Sequence, residues 1–205
     1  MKSKFLSMLL PAALAASFGG VPAAAQQFSE GYTFLKAVKE RDGNVVTEAL
    51  ERPGSTVVNT RDLSSGQTAL HIVTERRDPV WLRFLTGNGA DPNIADKRGV
   101  TPLQIAARLG FADGAEVLLA AGARVDITDR TGETPLIAAV HQGDLALARL
   151  LLKHGADPDQ TDNSGRSALD YARLAGERTP LLQEFERAVR EQAAAGEKRI
   201  YGPGM

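Results

Sequence analysis

Gly66, Gly99, Gly132 and Gly165 recur at intervals of 33 residues without a slip. Two residues after each stands Thr68, Thr101, Thr134 or Ser167, and two further on stands Leu70, Leu103, Leu136 or Leu169. A second series, Gly89-Ala90, Gly122-Ala123 and Gly155-Ala156, keeps the same period. When several residue types hold one period together, the chain is a stack of a single supersecondary unit. Each unit presents an apolar face that it cannot bury alone, so neighbours must cover it.

Within a unit the residues specify a helix pair. Thr101 suits a helix N-cap, because its hydroxyl can accept from the first free N–H groups, and Pro102 suits the first helical position, where an N–H would have no partner. Leu103, Ile105, Ala106 and Ala107 give a short helix with small residues that lets a neighbour approach closely. Gly110, Gly143 and Gly176 fit a helix end with left-handed backbone, and a second helix carries Val117, Leu118 and Leu119. Asp96, Asp129 and Asp162 suit turns that they hold through side-chain to backbone bonds. Hairpin-like turns are expected near residues 61–66, 94–99, 127–132 and 160–165. The second unit has Arg77 where the others have the inter-helix glycine, followed by Asp78-Pro79, so its turn is expected to differ locally. The result is an all-α solenoid of about five stacked helix-turn-helix units over residues 26–192. Its parts are a divergent N-terminal cap at 28–60, repeats at 61–93, 94–126 and 127–159, and a C-terminal cap at 160–192. Residues 193–205 read as a frayed helix end and flexible tail.

The segments Gly99-Val-Thr-Pro-Leu103 and Gly132-Glu-Thr-Pro-Leu136, with Gly155-Ala-Asp157, resemble the ankyrin repeat. Gly66-Gln-Thr-Ala-Leu-His71 is similar, with Ala69 for the family's proline. The resemblance is strong over residues 61–160, weaker over 161–192, and a matter of length and hydrophobic pattern over 28–60. It implies a concave binding side lined by turn tips and first helices. It also implies that His71 hydrogen-bonds the neighbouring turn.

Residues 1–25 are of another kind. Lys2 and Lys4 precede an apolar run from Phe5 to Phe18 broken by Pro11, and Ala23-Ala24-Ala25 offers a small-residue cleavage pattern before Gln26. This reads as a secretory signal peptide, too short for a bilayer span, and directs the chain to the periplasm of a Gram-negative bacterium. Retained, the same segment would tether an envelope scaffold to the membrane. Cleavage removes two lysines and no acid, which takes the formal charge from −1 to −3. Neither value drives binding to nucleic acid or a membrane surface. The chain has no cysteine, so thiol nucleophiles, redox pairs and cysteine-based metal sites are excluded, and packing alone must stabilise it.

Catalytic and metal chemistry find little purchase. The histidines are His71, His141 and His154. A zinc site needs three or four convergent ligands, and these have no such spacing. His154 precedes Gly155 at a helix C-terminus, where a positive charge meets the dipole favourably. The run from Asp157 to Gly165 lacks the alternating ligands and late glutamate of a calcium loop. No serine-nucleophile elbow, phosphate-binding glycine loop or His-Glu-x-x-His is present. The expectation is a non-enzyme with no metal and no cofactor.

The resemblance places partner contacts at the two residues before the turn glycine, the one after it, and the two before the inter-helix position. On this chain these are Ser64, Ser65, Gln67, Glu75 and Arg76, then Lys97, Arg98, Val100, Arg108 and Leu109. Arg130, Thr131, Glu133, His141 and Gln142 follow, then Asn163, Ser164, Arg166, Leu174 and Ala175. Six are basic and two acidic, and Lys97, Arg98, Arg108 and Arg130 form the expected positive cluster. The expected function is that of a monomeric periplasmic module binding the acidic surface of another protein, and the resemblance to exported ankyrin proteins implies an exported partner that it supports, protects or inhibits.

Overall fold

The computed structural model describes residues 23–176 and 179–200. Most of the expected signal peptide, residues 1–22, and the last five residues of the expected tail lie outside that range. Among the described residues every regular element is helical, apart from an isolated bridge between Thr161 and Ser167.

Each Thr or Ser of the repeat opens a helix as its chemistry requires. Thr101 Oγ1 accepts from the Gln104 N–H, Thr134 Oγ1 from Ile137 at 3.1 Å, and Ser167 Oγ from Asp170 at 3.2 Å. These helices are α3 (Ala69–Glu75), α5 (Pro102–Arg108), α7 (Pro135–His141) and α9 (Ala168–Leu174). Each is followed by a longer partner: α4 (Pro79–Gly87), α6 (Ala112–Ala120), α8 (Leu145–Lys153) and α10 (Pro180–Ile200). At the front stand α1 (Ala23–Glu40) and α2 (Gly43–Glu51). The first helices pack in the order α1, α3, α5, α7, α9, and the second helices in the order α4, α6, α8, α10. Two parallel layers result, and the apolar core lies between them. Leu70, Leu103 and Leu136 from one layer and Leu82, Leu118 and Leu151 from the other are fully enclosed there.

Two expectations need correction. The turn after α3 does not differ from the others. Arg77 takes a left-handed φ of 54°, beside 60° for Gly110 and 64° for Gly143. It also closes the same pair of bonds, Arg77 N–H to Thr74 O and Asp78 N–H to Val73 O, which match Gly110 to Ala107 and Phe111 to Ala106. The closed helix end dictates the conformation, and the side chain bears the steric cost of about 1–2 kcal/mol. Arg41, with φ 61°, does the same after α1. The second correction concerns the C-terminus. α10 runs on to Ile200, because Glu191, Gln192 and the alanines that follow are all strong helix formers.

The turns carry the link from unit to unit. Lys97 N–H donates to Ser65 O at 2.9 Å, and Asn163 N–H to Thr131 O at 3.1 Å. The approach is close enough that a Cβ at Gly132, whose φ is +78°, would lie 2.7 Å from the Asn163 backbone nitrogen. Gly165 has the same φ but belongs to the last turn, and a Cβ there meets nothing within 4 Å. Gly165→Ala therefore carries only the left-handed penalty, about 1 kcal/mol. Gly132→Ala adds a collision with backbone and is expected to cost about 1–3 kcal/mol more. Urea unfolding of the two variants checks the difference, and equal losses would mean that the turns do not pack on one another.

His71 ties unit two to unit three from inside the core, as the resemblance implied. Its Nδ1 accepts from the Thr68 N–H at 3.0 Å, which leaves Nε2 to donate to Val100 O at 3.0 Å. One unit on, Gln104 does both jobs: Oε1 accepts from Thr101 N–H at 2.8 Å, and Nε2 donates to Ile127 O and Glu133 O. In unit five the position is Asp170, which only accepts. Burial holds the His71 imidazole below its ordinary value of 6.5, against the Val100 bond that favours the charged form. A protonated Nδ1 would also point a proton at the Thr68 N–H. The folded pKa lies below the unfolded one, so this contribution is complete above pH 6.5 and is lost as pH falls below it. His71→Gln is expected to keep the bonds, hold stability at pH 7 to within about 1 kcal/mol, and flatten the decline between pH 7 and 5. Chemical unfolding across that range measures it, and an unchanged slope would exclude His71 as the source.

Candidate interaction surface

At the base of each turn one carboxylate gathers the local backbone donors. Asp96 Oδ1 accepts from the N–H of Arg98 and Val100, Asp129 Oδ1 from Thr131 and Glu133, and Asp162 Oδ1 from Ser164 and Arg166. Asp62 does this with Ser64 and Ser65. Hydrogen bonds from Ser64 hold the Asp62 carboxyl well below the usual carboxylate range, and those from Ser164 and Tyr171 do the same for Asp162. Burial alone would raise Asp129, but the Thr131 and Glu133 donors and the Arg108 charge outweigh it and leave the carboxyl lowered. These acids are engaged inside the turns, and the cations at the turn tips are what face outward.

The expected cluster of four cations divides. Arg108 is not free: its guanidinium pairs with Asp129 and with Glu133, the latter at 3.1 Å, both in the next unit. The sequence could not show this, because the partners lie 21 and 25 residues away. Lys97 Nζ donates to Leu63 O on the preceding tip. Arg98 pairs with Asp96 at 3.0 Å while its side chain stays 67% exposed. Arg130 stays exposed, its stem against Gly99 of the preceding turn, with no ion pair among the described residues.

The other expected site residues also separate. Arg76 is largely enclosed between units one and two: Nη1 donates to Val38 O at 2.7 Å, Nε lies 3.3 Å from Asp78, and the guanidinium sits 5.2 Å over the Trp81 ring. It stitches the front of the stack and presents little to a partner. Val100 is buried, and its carbonyl accepts from His71. Glu133 bridges Arg108 to His141, whose Nδ1 lies 3.2 Å from Glu133 Oε1. The His141 ring meets Tyr171 edge-on with centroids 4.5 Å apart, and Tyr171 Oη donates to Asp162 Oδ2 at 2.7 Å. A continuous polar and aromatic band thus crosses units three to five. Arg166 is exposed on the last tip. Tyr171 was missed in the sequence because its register position holds Ile72, Ile105 and Ala138 in other units, and only the fold sets it against His141.

Among the described residues no three His, Asp or Glu converge on a metal-sized site. No helix there is long and apolar enough to cross a membrane.

A family model for ankyrin repeats in three copies matches residues 34–129, and one for ankyrin repeats in many copies matches residues 118–172. Together they span more than half of the chain. The protein belongs to the ankyrin-repeat family. Curated relatives match only in part. The regulatory protein NPR6 of Arabidopsis thaliana is 36% identical over 80 residues, 39% of this chain and 17% of that protein. The BTB/POZ domain and ankyrin repeat-containing protein NBCL of Lotus japonicus is 41% identical over 64 residues, 31% of this chain and 13% of that protein. The human 2-5A-dependent ribonuclease is 32% identical over 81 residues, 40% of this chain and 11% of that protein. The chain therefore spans less than a fifth of the length of each. Ankyrin repeats are protein–protein interaction modules and in general not catalytic, although the last relative is an enzyme that carries them.

The division of the cations has a measurable consequence. Arg108→Gln removes the cationic partner of two carboxylates, one of them, Asp129, only 6% exposed at its side chain. It is expected to cost about 1–3 kcal/mol in urea unfolding. Arg130→Gln removes a solvated charge and should stay within about 0.5 kcal/mol of wild type. Equal effects would mean that Arg108 is as free as Arg130.

Proposed function

We propose that this ankyrin stack is a non-enzymatic binding module that works as a monomer in the periplasm. It engages another exported protein through its turn tips and the concave first-helix face, as an accessory, protective or inhibitory partner. The observation that carries the binding surface is the internal use of the turn carboxylates, which leaves Arg130 and Arg166 unpaired among the described residues and facing solvent on adjacent tips, beside a largely exposed Arg98 that pairs with Asp96. Arginine is enriched at protein interfaces, and a field of one sign speeds encounter with an acidic partner. The periplasmic reading is supported by the Lys2/Lys4, apolar and Ala23-Ala24-Ala25 pattern of the sequence.

The test is fractionation of the native host followed by mass determination and pull-down. A soluble periplasmic chain beginning at Gln26, eluting as a monomer and retaining one exported protein, is the expected result. A chain that keeps residues 1–25 and sediments with membranes would replace this reading with that of a tethered envelope scaffold.

A further inference from the structure

In two units the residue after the turn glycine pairs with the residue eight positions on. Gln67 Nε2 donates to Glu75 Oε1 at 2.6 Å, and Glu133 meets His141 at 3.2 Å. In unit three the second position, Arg108, is claimed by the acids of unit four. In unit five the same register sets Arg166 against Leu174, and a leucine cannot pair with a guanidinium. Leu174 is 71% exposed. Arg166 has no ion pair or side-chain hydrogen bond among the described residues; Asp170 lies near enough to feel its charge, but that carboxylate already accepts from Ser167 and pairs with Arg173. Leu174 also stands one turn along α9 from Tyr171, and so on the same helix face as the ring that meets His141. Both rings are anchored from behind, His141 by Glu133 and Tyr171 by Asp162. Both rings thus have partners before anything binds, which lowers the ordering cost of association.

We infer that units four and five bind an acidic peptide segment bearing one large apolar side chain. The apolar group rests on Leu174 beside the His141–Tyr171 pair, and flanking carboxylates pair with Arg166 and Arg130. The inference rests on the protein-binding reading above and gives that site its partner chemistry. Charge decides the class of occupant. The two open guanidiniums belong to successive turn tips, and Leu174 lies at the end of the first helix of the second of those units. In an extended peptide, side chains at alternate positions share one face, so an apolar residue with an acid two places to either side turns all three groups toward this surface.

The probe is a fluorescein-labelled peptide of glutamates and serines around a single phenylalanine, followed by fluorescence anisotropy with the purified protein at low and high salt. The expected result is salt-sensitive binding, weakened at least about fivefold, or roughly 1 kcal/mol, both by Leu174→Ser and by the double change Arg130→Gln with Arg166→Gln. The unfolding midpoints of the variants should match wild type, since all three side chains are exposed. Replacing the phenylalanine by serine, or the glutamates by lysines, should abolish binding. The inference is overturned if the peptide does not bind, if the folded variants bind it as well as wild type, or if an oligothymidylate binds as tightly and so reveals a general polyanion site. Repeating the periplasmic pull-down with the same variants separates the two levels. A partner retained equally by wild type and variants sinks this inference and leaves the binding-module reading standing, whereas no partner for either protein sinks the reading as well.

Discussion

The carboxylate at the base of each turn controls how one unit meets the next. Asp62, Asp96, Asp129 and Asp162 each collect backbone N–H groups that would otherwise face solvent unpaired or be buried unsatisfied. With the turn closed on itself, its outer edge can lie flat against the next turn, as the Lys97 to Ser65 and Asn163 to Thr131 bonds show. At Gly66 and Gly132 the glycine follows from the same contact, since the next backbone occupies the space that a Cβ would need. Register between units, and with it the alignment of the two helix layers, depends on these turns.

The same arrangement shapes the surface. A near-neutral chain becomes locally cationic at its later tips because the acids of each turn bond to backbone N–H groups, and Arg130 and Arg166 find no ion pair among the described residues. Where a neighbouring unit supplies acids, as for Arg108, a cation becomes part of the structure. Where the register partner cannot pair, as Leu174 cannot with Arg166, it stays open. What neighbouring side chains offer within reach separates a stabilising arginine from one available to a partner. His71, Gln104 and Asp170 follow the same logic in the core: the first two donate to a following turn, and Asp170, with no turn after it, only accepts.

Stability in such a stack is distributed. Contacts run between neighbours, and no disulfide closes the chain, so each interface contributes on its own account. The end units are the exposed ones. α1 and α10 are longer than any described helix between them, and they pack on α3 and on α8 and α9 respectively. Arg76 reinforces the front junction by binding Val38 O across it while its charge meets Asp78 and the Trp81 ring.

The strict spacing of glycine, threonine and leucine by itself determined the helix pairs, their number, the turn positions and the leucines that fill the core. These follow from local capping and turn chemistry and from a hydrophobic pattern repeated in phase, and both are written along the chain. Sequence also named the surface positions where units individualise. It could not say which of them remain free, because that depends on partners one unit away: Arg108 met two acids, Val100 turned inward, and Arg76 closed over Trp81. Nor could it foresee that Arg77 would take the left-handed backbone of its glycine counterparts, since the closing bonds of the helix end, and not the side chain, chose that conformation. The His141–Tyr171 contact and the open Arg166–Leu174 pair belong to the tertiary structure alone. They arise only when successive units are laid side by side, where a difference between registers becomes a difference between neighbours in space.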